Sequence, residues 1–271
     1  MAYIKSIIDH FSLTDAKPVN TPMIPGAVYS KQDAPSGPAE AMRMKKTPYR
    51  EAIGSLMYTT VATHPNITYA VSTLSQFLDN PGEAHWNAVK CIFHYLSGTA
   101  NLTLTYGSKR HDLMGYTDAD GATQEHQRAI SGHAFLIDGR TVLWSLCKQE
   151  LVTLLTAEAE YVAATHAAKE GIWLCCILGE LFPPIPPTTT LYCDNQAACK
   201  LATTDNFHMW MKHIDIQYHF IHQAIEDCMF NIVYCPTDDM VTDTLTKAVP
   251  SWKVKGFASA LGLHAGLEGE L

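Results

Sequence analysis

The chain has 271 residues, 47% of them apolar and 17% charged, which excludes a disordered chain and suffices for one large domain or two ordinary ones. Its 27 Asp and Glu outnumber 19 Lys and Arg for a formal net charge of -8, an argument against a protein that coats duplex phosphates with clustered cations. The excess is local: residues 1–108 carry 8 basic and 7 acidic side chains, residues 109–250 carry 9 and 18, and residues 251–271 carry 2 and 2. The middle block is therefore either a solvated acidic face or a set of carboxylates with a cation to bind.

Nothing in the chain approaches the ~20 consecutive apolar residues of a membrane span. Met1 to Phe11 is interrupted by Lys5, Asp9 and His10 and lacks the apolar core of a signal peptide. The eight cysteines form no Cys-x-x-Cys pair or zinc-type spacing. They read as reduced thiols of an intracellular protein, cytoplasmic or nuclear, with no membrane partner.

Residues 1–48 read as an extended connector, because Asp15 to Pro48 is rich in Pro, Gly, Ser and Lys without a sustained period. Helical spacing then covers 49–62 and 65–78, with Pro65 suited to a first turn. Asn80-Pro81-Gly82 is a break. Trp86, Val89, Phe93 and Leu96 mark an amphipathic helix over 83–96 that Gly98 is expected to end. Residues 49–108 thus form a helical unit.

The block 109–250 changes character. Strands are expected at Leu113–Thr117, Ser131–Ile137 and Thr141–Leu146, the last two joined by the hairpin signal Asp138-Gly139. Leu102–Tyr106 is a further strand-like run just before it. An Ala-rich helix over 157–181 can approach a sheet closely. A strand at 188–193, a short helix to Ala202, a helix over 213–227, a strand at 229–235 and a last helix over 237–247 complete the order. The fold class is α/β, a mixed sheet covered by helices; residues 251–271 are left as a tail.

Four acids stand at informative places. Asp118 closes a strand, Glu160 lies in the first turn of the Ala-rich helix, Asp194 closes another strand, and Asp243 lies in the last helix. Carboxylates at the ends of neighbouring strands converge on one sheet edge, where they repel and a divalent cation relieves them. Two metals ~3.5–4 Å apart serve phosphodiester cleavage. Singly, each acid also reads as a turn former or helix cap, and Asp194 in particular as a cap of the short helix.

The joint order of these motifs resembles a family. Gly115-Tyr-Thr-Asp-Ala-Asp120, Ala157-Glu-Ala-Glu-Tyr161, Leu191-Tyr-Cys-Asp-Asn-Gln196, Lys212-His-Ile-Asp-Ile216 and Thr242-Asp-Thr-Leu-Thr-Lys247 resemble the ribonuclease H domain of Copia-type retrotransposon Pol polyproteins. Upstream, Pro48-Tyr-Arg50, Ile53-Gly-Ser-Leu-Met-Tyr58 and Asn80-Pro-Gly82 resemble the end of the same polyprotein's reverse transcriptase, its thumb and connection. The resemblance implies a ribonuclease H-like five-stranded mixed sheet with flanking helices. It implies cleavage of the RNA strand of an RNA–DNA hybrid, with two Mg²⁺ ions (Mn²⁺ as substitute) held by Asp118, Glu160, Asp194 and Asp243. Glu158 is the alternative to Glu160, and Asp120 stands next to the set. A longer reverse transcriptase or polyprotein is the implied protein partner.

Departures accompany the match. The paired aspartates of a polymerase active site have no counterpart in residues 1–108, and Asp238-Asp239 fits the segment before the last aspartate instead; no polymerase activity is expected. His64-Pro65-Asn66 replaces the family's Arg-Pro-Asp, Gly121 replaces a Trp, and Leu155-Thr156-Ala157 replaces Ser-Ser-Thr. Because the resembling region is already under way at Met1, a truncated genomic remnant is expected. His213, His219, Trp86 and Trp144 read as packed or surface residues, and Lys148, Lys169, Lys200 and Lys212 as solvated cations within reach of phosphates. Two rival readings stay open: a catalytically inactive fragment that binds nucleic acid or a polymerase partner, and an accessory part of an RNA-directed DNA polymerase.

Overall fold

A computed structural model describes residues 2–107, 112–121, 128–150, 152–153, 155–182, 188–204 and 215–266, with the side chains of 215–218 excepted. In chain order the helices are α1 (Ala2–His10), α2 (Pro38–Lys46), α3 (Tyr49–Ala62), α4 (Thr68–Ser75), α5 (Glu83–Thr99), α6 (Thr156–Leu181), α7 (Gln196–Thr203), α8 (Asp215–Glu226), α9 (Asp243–Thr246) and α10 (Ser251–Ala260). The strands are β1 (Leu102–Leu104), β2 (Leu113–Asp120), β3 (Ile130–Ile137), β4 (Arg140–Lys148), β5 (Thr189–Cys193), β6 (Phe230–Tyr234) and β7 (Leu263–Ala265). Among the described residues, no helix is long and apolar enough to cross a membrane.

The chain divides into two compact units, residues 1–105 with 247–271, and residues 106–246. In the first, α3, α4 and α5 pack around Ile53, Leu56, Ile67, Leu74, Ile92 and Phe93, all at most 1% exposed. The expected connector is partly helical. Ile4, Ile7 and Ile8 line the buried stripe of α1, and Pro38 opens α2 at a position where its missing N–H costs nothing. Helix α5 runs through Gly98 to Thr99 instead of ending there. A Cβ at 98 would lie 2.9 Å from Pro18 Cβ, so this glycine permits a close approach inside the helix. Strand β1 pairs antiparallel with β7, Leu102 opposite Ala265, so the expected tail carries a helix and a strand of this unit.

The second unit holds the mixed five-stranded sheet with flanking helices that the resemblance implies, in the order β4-β3-β2-β5-β6. Strand β3 runs antiparallel to β2 and β4, while β2, β5 and β6 are mutually parallel. The β3–β4 turn places Asp138 at φ 51° and Gly139 at φ 74°, the pair of positive φ values that a tight hairpin needs. The Ala-rich face of α6 packs on the sheet through Ala163, Ala164, Ala167 and Ala168, all at most 3% exposed. The Phe135 ring is wedged beneath it. A Cβ at Gly115 would meet Phe135 Cε1 at 2.6 Å, and one at Gly171 would meet Phe135 Cζ at 2.8 Å. One glycine on the sheet and one on α6 thus leave room for the same ring between helix and sheet. The expected last helix is broken: a 3-10 turn at Thr237–Asp239 is followed by Met240 in extended backbone and then the four residues of α9.

Candidate metal centre

Parallel pairing brings the first two acids together. Thr117 on β2 pairs with Cys193 on β5, so the next residue of each chain, Asp118 and Asp194, is delivered to the same place. Asp118 lies within β2 rather than closing it, because the strand continues to Asp120. The third acid comes from α6. That helix starts at Thr156, which puts Glu158 in its first turn and Glu160 at the start of the second. One carboxylate oxygen from each of Asp118, Glu160 and Asp194 lies within 4.8 Å of the other two.

Each of these carboxylates is held by a donor. Thr246 Oγ1 donates to Asp118 Oδ2. The Ala119 backbone N–H donates to Glu160 Oε2 at 3.0 Å, and Thr237 Oγ1 donates to Asp194 Oδ2 at 2.9 Å. Gln149, fully buried, donates through Nε2 to Ser131 Oγ and to the Ala159 carbonyl, each at 2.8 Å, and so ties β3 to α6 one residue before Glu160. Asp194 does not cap α7. Asn195 does, its Oδ1 accepting from the N–H groups of Ala197 and Ala198, which leaves the Asp194 carboxylate to the cluster.

Asp118 and Glu160 are 1% and 3% exposed and Asp194 is half-buried. Three carboxylates at this range repel, and removing two of them from water is costly without a cation. The donors are all hard oxygens, the set suited to a divalent cation such as Mg²⁺. Cys193, the residue before Asp194, has its pKa raised first by its hydrogen bond with Cys199 and then by burial, so it does not compete as a thiolate. The arrangement fits a hard divalent cation.

Other expected residues stand apart from this group. Asp243 is buried at the start of α9 but lies outside the set of mutual 4.8 Å distances. Glu158, buried in α6, and Asp120, half-buried at the end of β2, also lie outside it. Asp238 and Asp239 are exposed in the 3-10 turn. Lys169 and Lys200 are exposed and Lys148 is half-buried. Trp86 and Trp144 are half-buried, and His219 is exposed. Lys212 and His213 lie outside the described residues. Sequence reasoning missed Thr237, Thr246 and Gln149, whose roles rest on side-chain hydrogen bonds to partners 10 to 128 positions away and leave no periodic trace.

No protein-family model matches the chain. It is 39% identical over 264 residues to the retrovirus-related Pol polyprotein from transposon TNT 1-94 of Nicotiana tabacum, covering 97% of this chain and 20% of that protein. The chain is homologous over nearly its whole length to a segment of the retrovirus-related Pol polyproteins of plant transposons. A second member, the Pol polyprotein from transposon RE1 of Arabidopsis thaliana, is 35% identical over 264 residues, 96% of this chain and 18% of the relative. The chain thus spans about a fifth of the length of these Pol relatives. Among solved structures, LC11-RNase H1 in complex with an RNA/DNA hybrid aligns with 48% of this chain and 88% of its own, at 13% identity and a TM-score of 0.37.

Proposed function

We propose that residues 109–250 of this Pol segment form a Copia-type ribonuclease H, a metal-dependent endonuclease that cuts the RNA strand of an RNA–DNA hybrid. The observation that carries this reading is the convergence of Asp118, Glu160 and Asp194 from three separate elements. It weighs against a fragment that keeps only the fold. In the proposal these three hold divalent metal, and Asp243 contributes the fourth carboxylate from α9. Two Mg²⁺ ions, or Mn²⁺ in their place, supply an activated water and stabilise the departing 3′ oxygen when bound.

The chain's own part is positional. The Ala119 amide locks Glu160 against the sheet, and the Gln149 bridge fixes the α6 turn that carries it. The hybrid is recognised by groove shape and 2′-hydroxyls more than by sequence. Two ions shift the net charge of residues 109–250 from -9 to about -5 at the place phosphate approaches. The remaining deficit implies weak hybrid affinity for this segment, with grip supplied by the rest of a Pol polyprotein or by a longer reverse transcriptase. The proposal assigns no polymerase chemistry to the chain. It places the protein inside the cell, in cytoplasm or nucleus, in keeping with eight free cysteines.

The test is cleavage of a labelled RNA–DNA hybrid by the purified chain with and without Mg²⁺. Activity that requires Mg²⁺ and disappears in Asp194→Asn is expected. Equal activity in the two proteins would refute the assignment.

A further inference from the structure

Two of the three donors that hold the acid cluster come from one short stretch. Thr237 and Thr246 bracket the broken segment between β6 and the end of α9, and their hydroxyls reach Asp194 and Asp118 respectively. The segment that the family pattern singles out for Asp243 therefore meets the cluster through neutral hydroxyls.

The approach of Thr246 is built into the sheet. Its side chain is fully buried. Gly132, paired with Asp118 across β2 and β3, faces it: a Cβ at 132 would lie 2.6 Å from Thr246 Cγ2 and 3.3 Å from Leu245 Cβ. The missing side chain at 132 is what admits Thr246 to its place beside Asp118. The hydroxyl carries one proton. Its other acceptors, the carbonyls of Thr242 and Asp243, are both 3.4 Å away, and an ionised carboxylate is the stronger acceptor.

Carboxylate rotation about the last torsion is soft, so an acid without such a donor samples orientations that a metal cannot use. We propose that Thr246 and Thr237 are positioning residues of the metal centre, their hydroxyls fixing Asp118 and Asp194 in the orientation that receives a divalent cation. The inference rests on the metal-centre reading above. It goes further in assigning the 237–246 segment a role in cation affinity that is separate from Asp243.

The test is Mn²⁺ binding to the full chain, measured by calorimetry without nucleic acid, together with hybrid cleavage. Thr246→Val keeps the shape and removes the donor; an affinity loss of about tenfold or more is expected, in line with other residues that orient metal ligands. Thr246→Ser keeps the donor and is expected to restore binding. Thr237→Val is expected to cost less, about two- to threefold, because water reaches this exposed position.

Gly132→Ala provides a second route should Thr246→Val not fold. Its methyl displaces Thr246 Cγ2 and should weaken Mn²⁺ binding, while Gly132→Ala combined with Thr246→Ser removes the clashing methyl and should recover it. Wild-type affinity in Thr246→Val would overturn the proposal. So would equal losses in Thr246→Val and Thr246→Ser, which would make the methyl and not the hydroxyl responsible. Unchanged Mn²⁺ binding in Asp118→Asn and Asp194→Asn would instead overturn the metal centre itself.

Discussion

His133 makes the stability of the sheet unit depend on pH. Its side chain sits on β3 at 4% exposure, and its Nε2 has no hydrogen-bond partner among the described residues. Burial, reinforced by repulsion from His166, pushes its pKa down from 6.5 to about 4. Between those values the unfolded chain holds a proton that the folded chain rejects, so stability falls as pH falls. The contribution is intact above pH 6.5 and is fully lost below pH 4. Integrating the two titrations from pH 7.5 to 4.5 gives a loss of about 2–3 kcal/mol from this one ring.

The assay is amide hydrogen exchange of β3 across that range, corrected for intrinsic rates, in wild type and His133→Leu. The leucine variant has no proton to take up at this site, so the difference in protection between the two proteins should change by about 2–3 kcal/mol. The carboxylates titrate in both proteins and cancel in that difference. Parallel profiles from pH 7.5 to 4.5 would show that the ring is not held neutral by burial.

The helical unit contains a counterpart. Burial pushes the His64 pKa down to about 4, so protection of α3 and α4 should also fall below pH 6.5, and His64→Leu should flatten that fall. Gly171→Ala drives a methyl into the Phe135 ring at 2.8 Å and should cost about 1–3 kcal/mol in urea unfolding. Gly179→Ala, on the same helix with nothing within 4 Å of the added methyl, should instead be neutral or stabilise by about 0.5–1 kcal/mol. Asn195→Ala should cost about 1 kcal/mol through the lost cap of α7, measured by the same unfolding. It should spare the Asp194 carboxylate, so Mn²⁺ affinity is the control.

The acid cluster was partly legible because strands announce their acids. Asp118 and Asp194 each follow runs of strand-forming residues, and parallel neighbours deliver their ends to one place. The choice between Glu158 and Glu160 was harder, since it turns on where α6 begins, and helix starts are poorly marked without a capping side chain. Leu155 offers none. Gly98 misled because a helical glycine reads as a stop, whereas here it makes room for Pro18. The spacing of Ile4, Ile7 and Ile8 was a visible helical signal that the Pro-rich stretch following it obscured. The break at Met240 had no local marker: its side chain is fully buried, and tertiary burial overrides the helical tendency of the flanking residues. The Thr246–Asp118 contact spans 128 positions and has no signature in sequence at all.

The pairing of β1 with β7 makes the two units unequal as pieces of a gene. Residues 106–246 are one uninterrupted stretch. The helical unit cannot be isolated by a single cut, because α10 and β7 are encoded on the far side of the sheet unit. A ribosome must finish the whole sheet unit before the helical one can close its two-stranded ribbon, and a stop codon between residues 247 and 262 would take β7 from the unit that was translated first.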